Sequence, residues 1–520
     1  MRSLPSTVWT AIAQFIPALC LKDMISVNSF FFNLAMDYRY RQISFTYLNE
    51  RMLWTLVRLR DPAVSYRVKT VYIYPDFLKR ELYTTQAPQM ALRRTSDILR
   101  YKLFLKSGKC CIPPTFLLEW MQDVLSSLPN VNEYHVTWTG LPLSYLWKNP
   151  TQLISCLFKS APIHRLTITI SLENISSLDT NAFCGLSCIE ELQIRLHDDP
   201  SQPLSSFTSP ALITLANSIN KLRKTLKMLN IEARGQVPLS NLLPLIAHLP
   251  KLEKLLITFP VDVNRELGDP SNLSTFIDRH CRSLRMLALR AEQPVTAGGG
   301  KRPSFSEPVD EVEYGTALIA PDSDVEPDSD WWSLQKLSRT CLQSLELSTA
   351  QIPHDTCLAC IDAFKLSLTS LSITGSIQSP SFIEQVLSTF HGARGGGLRE
   401  LRISSVTMTP RLIDLLATKA PRLERLCLYV KDVVPCTPPV SPTRSSCTRS
   451  SSSSSRSSLE CRERREERIE AFFTEMETRR YPSWKLRHVK LVLSMPDADY
   501  WQIHIEELLA ECVPSIRTFG

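Results

Sequence analysis

The residues best suited to chemistry are His354, Cys357 and Cys360, which form an H-x-x-C-x-x-C string. Imidazole and thiolate are zinc ligands. A tetrahedral site needs a fourth donor and usually a second Cys/His pair, and none stands close in sequence. The same spacing puts both cysteines on one helical face beside Ile361 and Phe364, so core packing is the preferred reading. Cys110-Cys111 carries no ligand spacing. The run Gly392-Ala393-Arg394-Gly395-Gly396-Gly397 lacks the Lys-Ser/Thr ending of a phosphate loop and follows no strand, so it reads as a turn. Neither G-x-S-x-G nor H-E-x-x-H occurs. The tract 444–468 sets seven arginines against four glutamates with no interleaved aromatics. It reads as a solvated, phosphorylatable loop, and no nucleic-acid partner is expected. No catalytic residue, metal or cofactor is assigned, and the expectation is a binding protein, not an enzyme.

A binding protein needs elements to display its surface. The chain of 520 residues is too long for one ordinary core, so several domains or an elongated repeat array are expected. No window approaches the roughly 18 consecutive apolar residues of a membrane span. Residues 8–21 are apolar, but Gln14 and Pro17 interrupt them and no small-residue cleavage site follows, so no signal peptide is expected. Fifteen scattered cysteines suit reduced thiols in the cytosol or nucleus better than a small disulfide scaffold. The net charge of +7 hides an asymmetry. Residues 303–335 hold nine acidic and no basic residues, so without them the net charge would rise from +7 to +16.

One short pattern recurs ten times: an apolar residue, two variable residues, then two apolar residues around one variable residue. It appears at Leu226-x-x-Leu229-x-Ile231, Leu252-x-x-Leu255-x-Ile257, Leu342-x-x-Leu345-x-Leu347 and Leu486-x-x-Val489-x-Leu491, among others. From Leu166 the steps between copies are 26, 37, 26, 32, 58, 26, 30, 25 and 63 residues. Val131-x-x-Tyr134-x-Val136 is an earlier copy, and 67–74 reads as a strand. The commonest steps resemble a leucine-rich repeat with a helix on its outer side. One strand and one helix cannot bury their own apolar face, whereas stacked copies form a continuous core. Intervening helices are expected near 49–60, 116–128, 211–219 and 242–249. The two oversized steps hold low-complexity sequence, and disordered insertions are expected at 293–330 and 432–461. A charged helix over 462–480, with Ile469, Phe472, Phe473 and Met476 on one face, is expected to cover the last strand.

The first forty residues differ. Pro5 suits a first helical turn. Val8, Ile12, Phe15, Ile16 and Leu19 recur at helical spacing, and a second apolar set runs from Leu21 to Ala35. Leu4-Pro5, Ile12, Ile16-Pro17, Leu21, Asp23-Met24 and Val27-Asn28 resemble the F-box, and the segment is similar to F-box-like proteins of mushroom-forming fungi. Phe31 stands where many F-boxes have Trp, and Thr7 where many have Glu. The bare residues also allow an ordinary helical cap on a repeat array.

The expected architecture is therefore α/β. A helical F-box-like unit at 1–48 precedes an irregular leucine-rich-repeat solenoid at 49–520, with a concave parallel sheet and convex helices. The resemblance implies a substrate-recognition subunit of a cullin-RING ubiquitin ligase that docks on a Skp-type adaptor. The adaptor contacts it implies are Leu4, Pro5, Trp9, Ile12, Ile16, Pro17, Met24, Ile25 and Phe31. Strand alternation turns Thr167, Gln193, Arg195, Asn230, Thr258, Arg290, Glu346, Ser372, Arg402, Tyr429 and Lys490 toward the concave face. Of these, Arg195, Asn230, Arg290, Glu346, Arg402, Tyr429 and Lys490 are the candidate contacts to an unidentified target protein. The competing class is a repeat scaffold without a ubiquitin role.

Overall fold

The computed structural model describes residues 5–17, 20–21, 23–47, 49–74, 114–139, 163–176, 186, 188–197, 208–234, 237, 239–259, 271–291, 341–350, 352–375, 378–390, 397–436, 456–495 and 498–520. Fourteen strands among them form one sheet, in which each strand pairs in parallel with its neighbours in the chain. They are β1 (Gln42–Phe45), β2 (Thr70–Ile73), β3 (Glu133–Trp138), β4 (Arg165–Ser171), β5 (Glu191–His197), β6 (Met228–Arg234) and β7 (Lys254–Phe259). Then come β8 (Met286–Ala291), β9 (Ser344–Ser348), β10 (Ser370–Thr374), β11 (Glu400–Met408), β12 (Arg425–Val433), β13 (His488–Leu493) and β14 (Thr518–Phe519).

The repeated pattern explains the sheet. Its second and third apolar residues point into one core: Leu192 and Ile194, Leu229 and Ile231, Leu345 and Leu347, and Leu401 and Ile403 are all buried. The leading residue of each copy is buried too, as at Leu226, Leu252, Leu368 and Leu423. Between the leading and second apolar residues the backbone crosses to the preceding repeat. Arg285 N–H donates to Glu253 O at 2.8 Å, and Arg399 N–H to Thr369 O at 2.8 Å. Strands buried on one face leave the other open, with alternating buried and accessible residues along β3, β5 and β10.

Helices pack on the buried face. Pro114–Ser126, Thr208–Lys221, Ser271–Arg279, His354–Phe364, Pro380–Phe390 and Pro410–Lys419 each sit between successive strands. The helix expected near 242–249 is instead a short helix at Leu239–Leu242 running into a 3-10 turn at Leu243–Leu245. Pro244 lacks an N–H and blocks continuation of the α-helix. The charged helix spans Arg456–Glu477, with Ile469, Phe472 and Met476 fully buried. It packs on helix Pro410–Lys419, on β12 and on a further helix, Ala498–Cys512, and it is that further helix that lies against β13.

The sheet begins earlier than the boundary expected at residue 48. Ile43 and Phe45 of β1 are buried and pair with Val71 and Ile73 of β2. It also continues past β13: Phe519 of β14 pairs with Val489. The segment 293–330 lies outside the described residues, as does 437–455. The rest of the expected insertion 432–461 is the end of β12 and the start of helix Arg456–Glu477.

Candidate functional site

The open face of the sheet is one candidate surface. Parallel register brings the predicted residues into two rows. Thr167, Gln193 and Asn230 share a row with Leu256, Ala288, Glu346, Ser372, Arg402, Cys427 and Lys490. Thr169, Arg195, Glu232, Thr258 and Arg290 form the next row.

Most of the charge on these rows is paired across neighbouring strands. Arg290 grips Glu346 with two bonds, Nε to Oε1 and Nη2 to Oε2, each 2.8 Å. Glu232 gathers three partners: Arg195 Nε lies 2.8 Å from Oε2, and Gln193 and Asn230 donate to Oε1. Arg165 pairs with Glu191, and Lys227 with Glu190, at 2.8 and 2.9 Å. At the N-terminal end Tyr72 stacks on His135 with ring centroids 4.4 Å apart. Contact with His135 holds the Glu133 carboxyl below the usual range. Burial, followed by the nearby Arg234 and Arg195 charges, lowers the His197 pKa. Arg402 lies over the Tyr429 ring at 4.8 Å and donates to its hydroxyl.

Asn230 does not fit the expectation of an accessible target contact. It holds its pleat position but is only 6% exposed, flanked in register by the longer Gln193 and Leu256. Leu256 and Ala288, both buried, make the middle of this row apolar.

The N-terminal unit is the second surface. Helices Ser6–Ala13 and Ser29–Tyr40 enclose a small core of Leu21, Phe31 and Ala35, with Trp9, Ile16 and Met24 partly buried against it. Asn28 caps the second helix, its Oδ1 accepting from Phe31 N–H at 3.0 Å. Phe31 is 1% exposed and meets Trp9 edge to face at 5.5 Å, so it belongs to the interior and not to a docking surface. The aromatic fills the gap between the two helices. Pro5, Ile12, Pro17 and Ile25 are exposed, and Leu4 lies outside the described residues. Further exposed apolar residues extend the expected set, among them Val8, Val27, Phe32 and Phe15, the last 87% exposed. The spacing of Val8, Ile12 and Phe15 was the available signal, because i, i+4 and i+7 share a helical face.

The two surfaces are joined firmly. Tyr40, the last residue of the second helix, enters the main core. Arg67, 8% exposed, donates from Nε to Ala63 O, from Nη1 to Asn33 O and Asp37, and from Nη2 to Asn33 Oδ1.

Cys357 and Cys360 lie in the core, each 1% exposed, and burial pushes the Cys357 thiol up to about 12. His354 turns away and stacks on Phe382 at 4.2 Å. Among the described residues no three His, Cys, Asp or Glu side chains gather as a metal-binding group. No helix among them is long and apolar enough to cross a membrane.

The sequential, all-parallel strand order and the recurring buried triplet define an open α/β repeat array, consistent with a leucine-rich-repeat solenoid. No protein-family model matches the chain, and no curated protein matches it. Among solved structures, the leucine-rich repeat-containing protein LegL7 from Legionella pneumophila aligns over 76% of this chain and 91% of its own, at 9% identity and a TM-score of 0.37. That likeness is too distant to carry an argument; the strand order and burial pattern carry the fold assignment.

Proposed function

We propose that this chain is a non-catalytic substrate-recognition subunit of a cullin-RING ubiquitin ligase. Its N-terminal unit docks on a Skp-type adaptor, and the open face of the repeats holds a target protein in the cytosol or nucleus. One observation carries the reading. Val8, Ile12 and Phe15 keep an apolar face in water, on a small unit clamped by Arg67 to the start of the repeat array. Apolar surface left exposed forgoes about 25 cal/mol per Å² until a partner covers it. The F-box-like spacing of Pro5, Ile12 and Ile16-Pro17 names the kind of partner. The mechanism is tethering: a target held beside a charged conjugating enzyme meets it at high effective concentration.

The test is retention of the full-length protein on an immobilised Skp-type adaptor, compared with Val8→Asp/Ile12→Asp. Both side chains are about 40% exposed, so the variant is expected to keep its melting temperature and lose retention. If the unaltered protein is not retained, the ligase role falls and a repeat scaffold for protein partners stands alone.

A further inference from the structure

The open face changes character along its length. From β4 to β9, Arg165, Arg195, Lys227 and Arg290 each meet a carboxylate on or just before a neighbouring strand within 3 Å, while among the described residues the exposed Lys254 and Arg285 make no ion pair. That pairing loosens at β11 and then runs out. Arg425 stands 3.5 Å from Glu400, and Arg399 stands 3.8 Å from Glu424. With Asp432, which is already paired with Arg468 at 3.0 Å, these two glutamates are the acidic residues on or just before β11 to β14. Against them stand Arg399, Arg402, Arg425, Lys431, Arg487, Lys490 and Arg517. Among the described residues Arg487 and Arg517 make no ion pair, and both are exposed. Register keeps these cations together: Arg402 pairs with Cys427 and Cys427 with Lys490, while Arg517 N–H donates to Arg487 O. With strands about 4.8 Å apart, the surplus lies within roughly 15 Å.

We infer that the open face of β11 to β14 is the docking site for a carboxylate-rich segment of a partner protein. The surplus of positive charge supplies the attraction, and the accessible arginines supply forked donors for Asp and Glu. Nucleic acid fits less well. Among the described residues the phenol ring on this face, Tyr429, is already covered by Arg402, so it offers no open platform for base stacking. The inference names the partner class for the repeats and does not depend on adaptor docking, so each can fail without the other.

The experiment is fluorescence anisotropy with a labelled, Asp/Glu-rich synthetic peptide titrated with the full-length protein, beside its Asn/Gln counterpart. The acidic peptide binds, more weakly as NaCl rises, and the neutral one does not. Arg487→Glu/Lys490→Glu weakens binding on the order of tenfold or more. Arg223→Glu/Lys224→Glu, exposed in the turn before β6, changes it less than about twofold. Unchanged melting curves show that both variants are folded. Equal loss in the two variants would overturn the assignment, as would binding of a single-stranded RNA at least as tight as that of the peptide. A large gain in affinity on deleting residues 303–335 would also overturn it, because the chain's own acidic stretch would then be the occupant.

Discussion

Replacing Arg67 with Ala separates the N-terminal unit from the repeats. Its guanidinium makes three bonds of 2.8–3.0 Å to Ala63 O, Asn33 O and Asn33 Oδ1, and a fourth to Asp37. Hydrogen bonds involving a charged group contribute about 1.5–3 kcal/mol each, but they do not add. Asp37 and Asn33 are exposed and regain water once released, so most of the gross energy returns. The net cost is about 3 kcal/mol, a shift of roughly 150-fold in the local opening equilibrium. The cost falls on helix Ser29–Tyr40, because the strands of the array keep their own pairing. Native-state hydrogen exchange on the full-length protein reads this directly. Amides of that helix lose protection by about two orders of magnitude, while those of β6 and β7 keep theirs. Arg67→Lys recovers less than about half the loss, since one ammonium cannot span the same acceptors. Unchanged protection in the helix would refute the clamp, and a loss spread evenly through the array would show that Arg67 supports the whole fold instead.

His280 gives the array an acid sensitivity. Its Nδ1–H donates to Phe276 O at 2.7 Å and its Nε2 accepts from Leu249 N–H at 2.9 Å, so the folded state holds it neutral. Burial lowers its pKa to about 4 from 6.5. The unfolded chain therefore takes up the proton first, and the associated stability is present above pH 6.5 and lost as pH falls toward 4. The loss is about 3 kcal/mol at about 1.4 kcal/mol per pH unit. Melting temperatures across that window are expected to fall more steeply for the unaltered protein than for His280→Gln. Gly375 adopts φ +106°, and an added Cβ would lie 2.7 Å from Ala350 N. Gly375→Ala is expected to cost about 1–3 kcal/mol in chemical denaturation. A double-mutant cycle on Arg290 and Glu346 is expected to give a coupling near 1 kcal/mol, kept modest because the arginine side chain is 42% exposed.

The repeats were legible because each copy repeats three burial decisions in six residues. Leu226, Leu229 and Ile231 state their positions without reference to anything distant. Strand β14 escaped notice because only Ile516-x-x-Phe519 of the pattern is present, and β1 because it offers only Ile43 and Phe45. At the N-terminus the apolar residues were visible, but their division was not. Ile12 and Phe31 are equally apolar in sequence, and only the packing of two helices puts one in water and the other against Trp9. The open-face rows followed from alternation. The pairing of Arg290 with Glu346 did not, since it depends on the register of strands joined by a long connection.

That connection has a practical consequence. Strands β8 and β9 pair residue for residue from Met286↔Ser344 to Leu289↔Leu347, although the chain travels from Ala291 to Ser344 between them. The comparable path from β9 to β10 runs only from Ser348 to Ser370. For a flexible connection each doubling of length costs only about 0.6 kcal/mol, because closure entropy grows with the logarithm of length. A sheet built from neighbour-to-neighbour pairing charges so little for extra chain at such a junction that a fluorescent protein spliced between residues 300 and 330 would leave the flanking strands in register. The array thus offers a natural port for a reporter that would follow the intact protein in living cells.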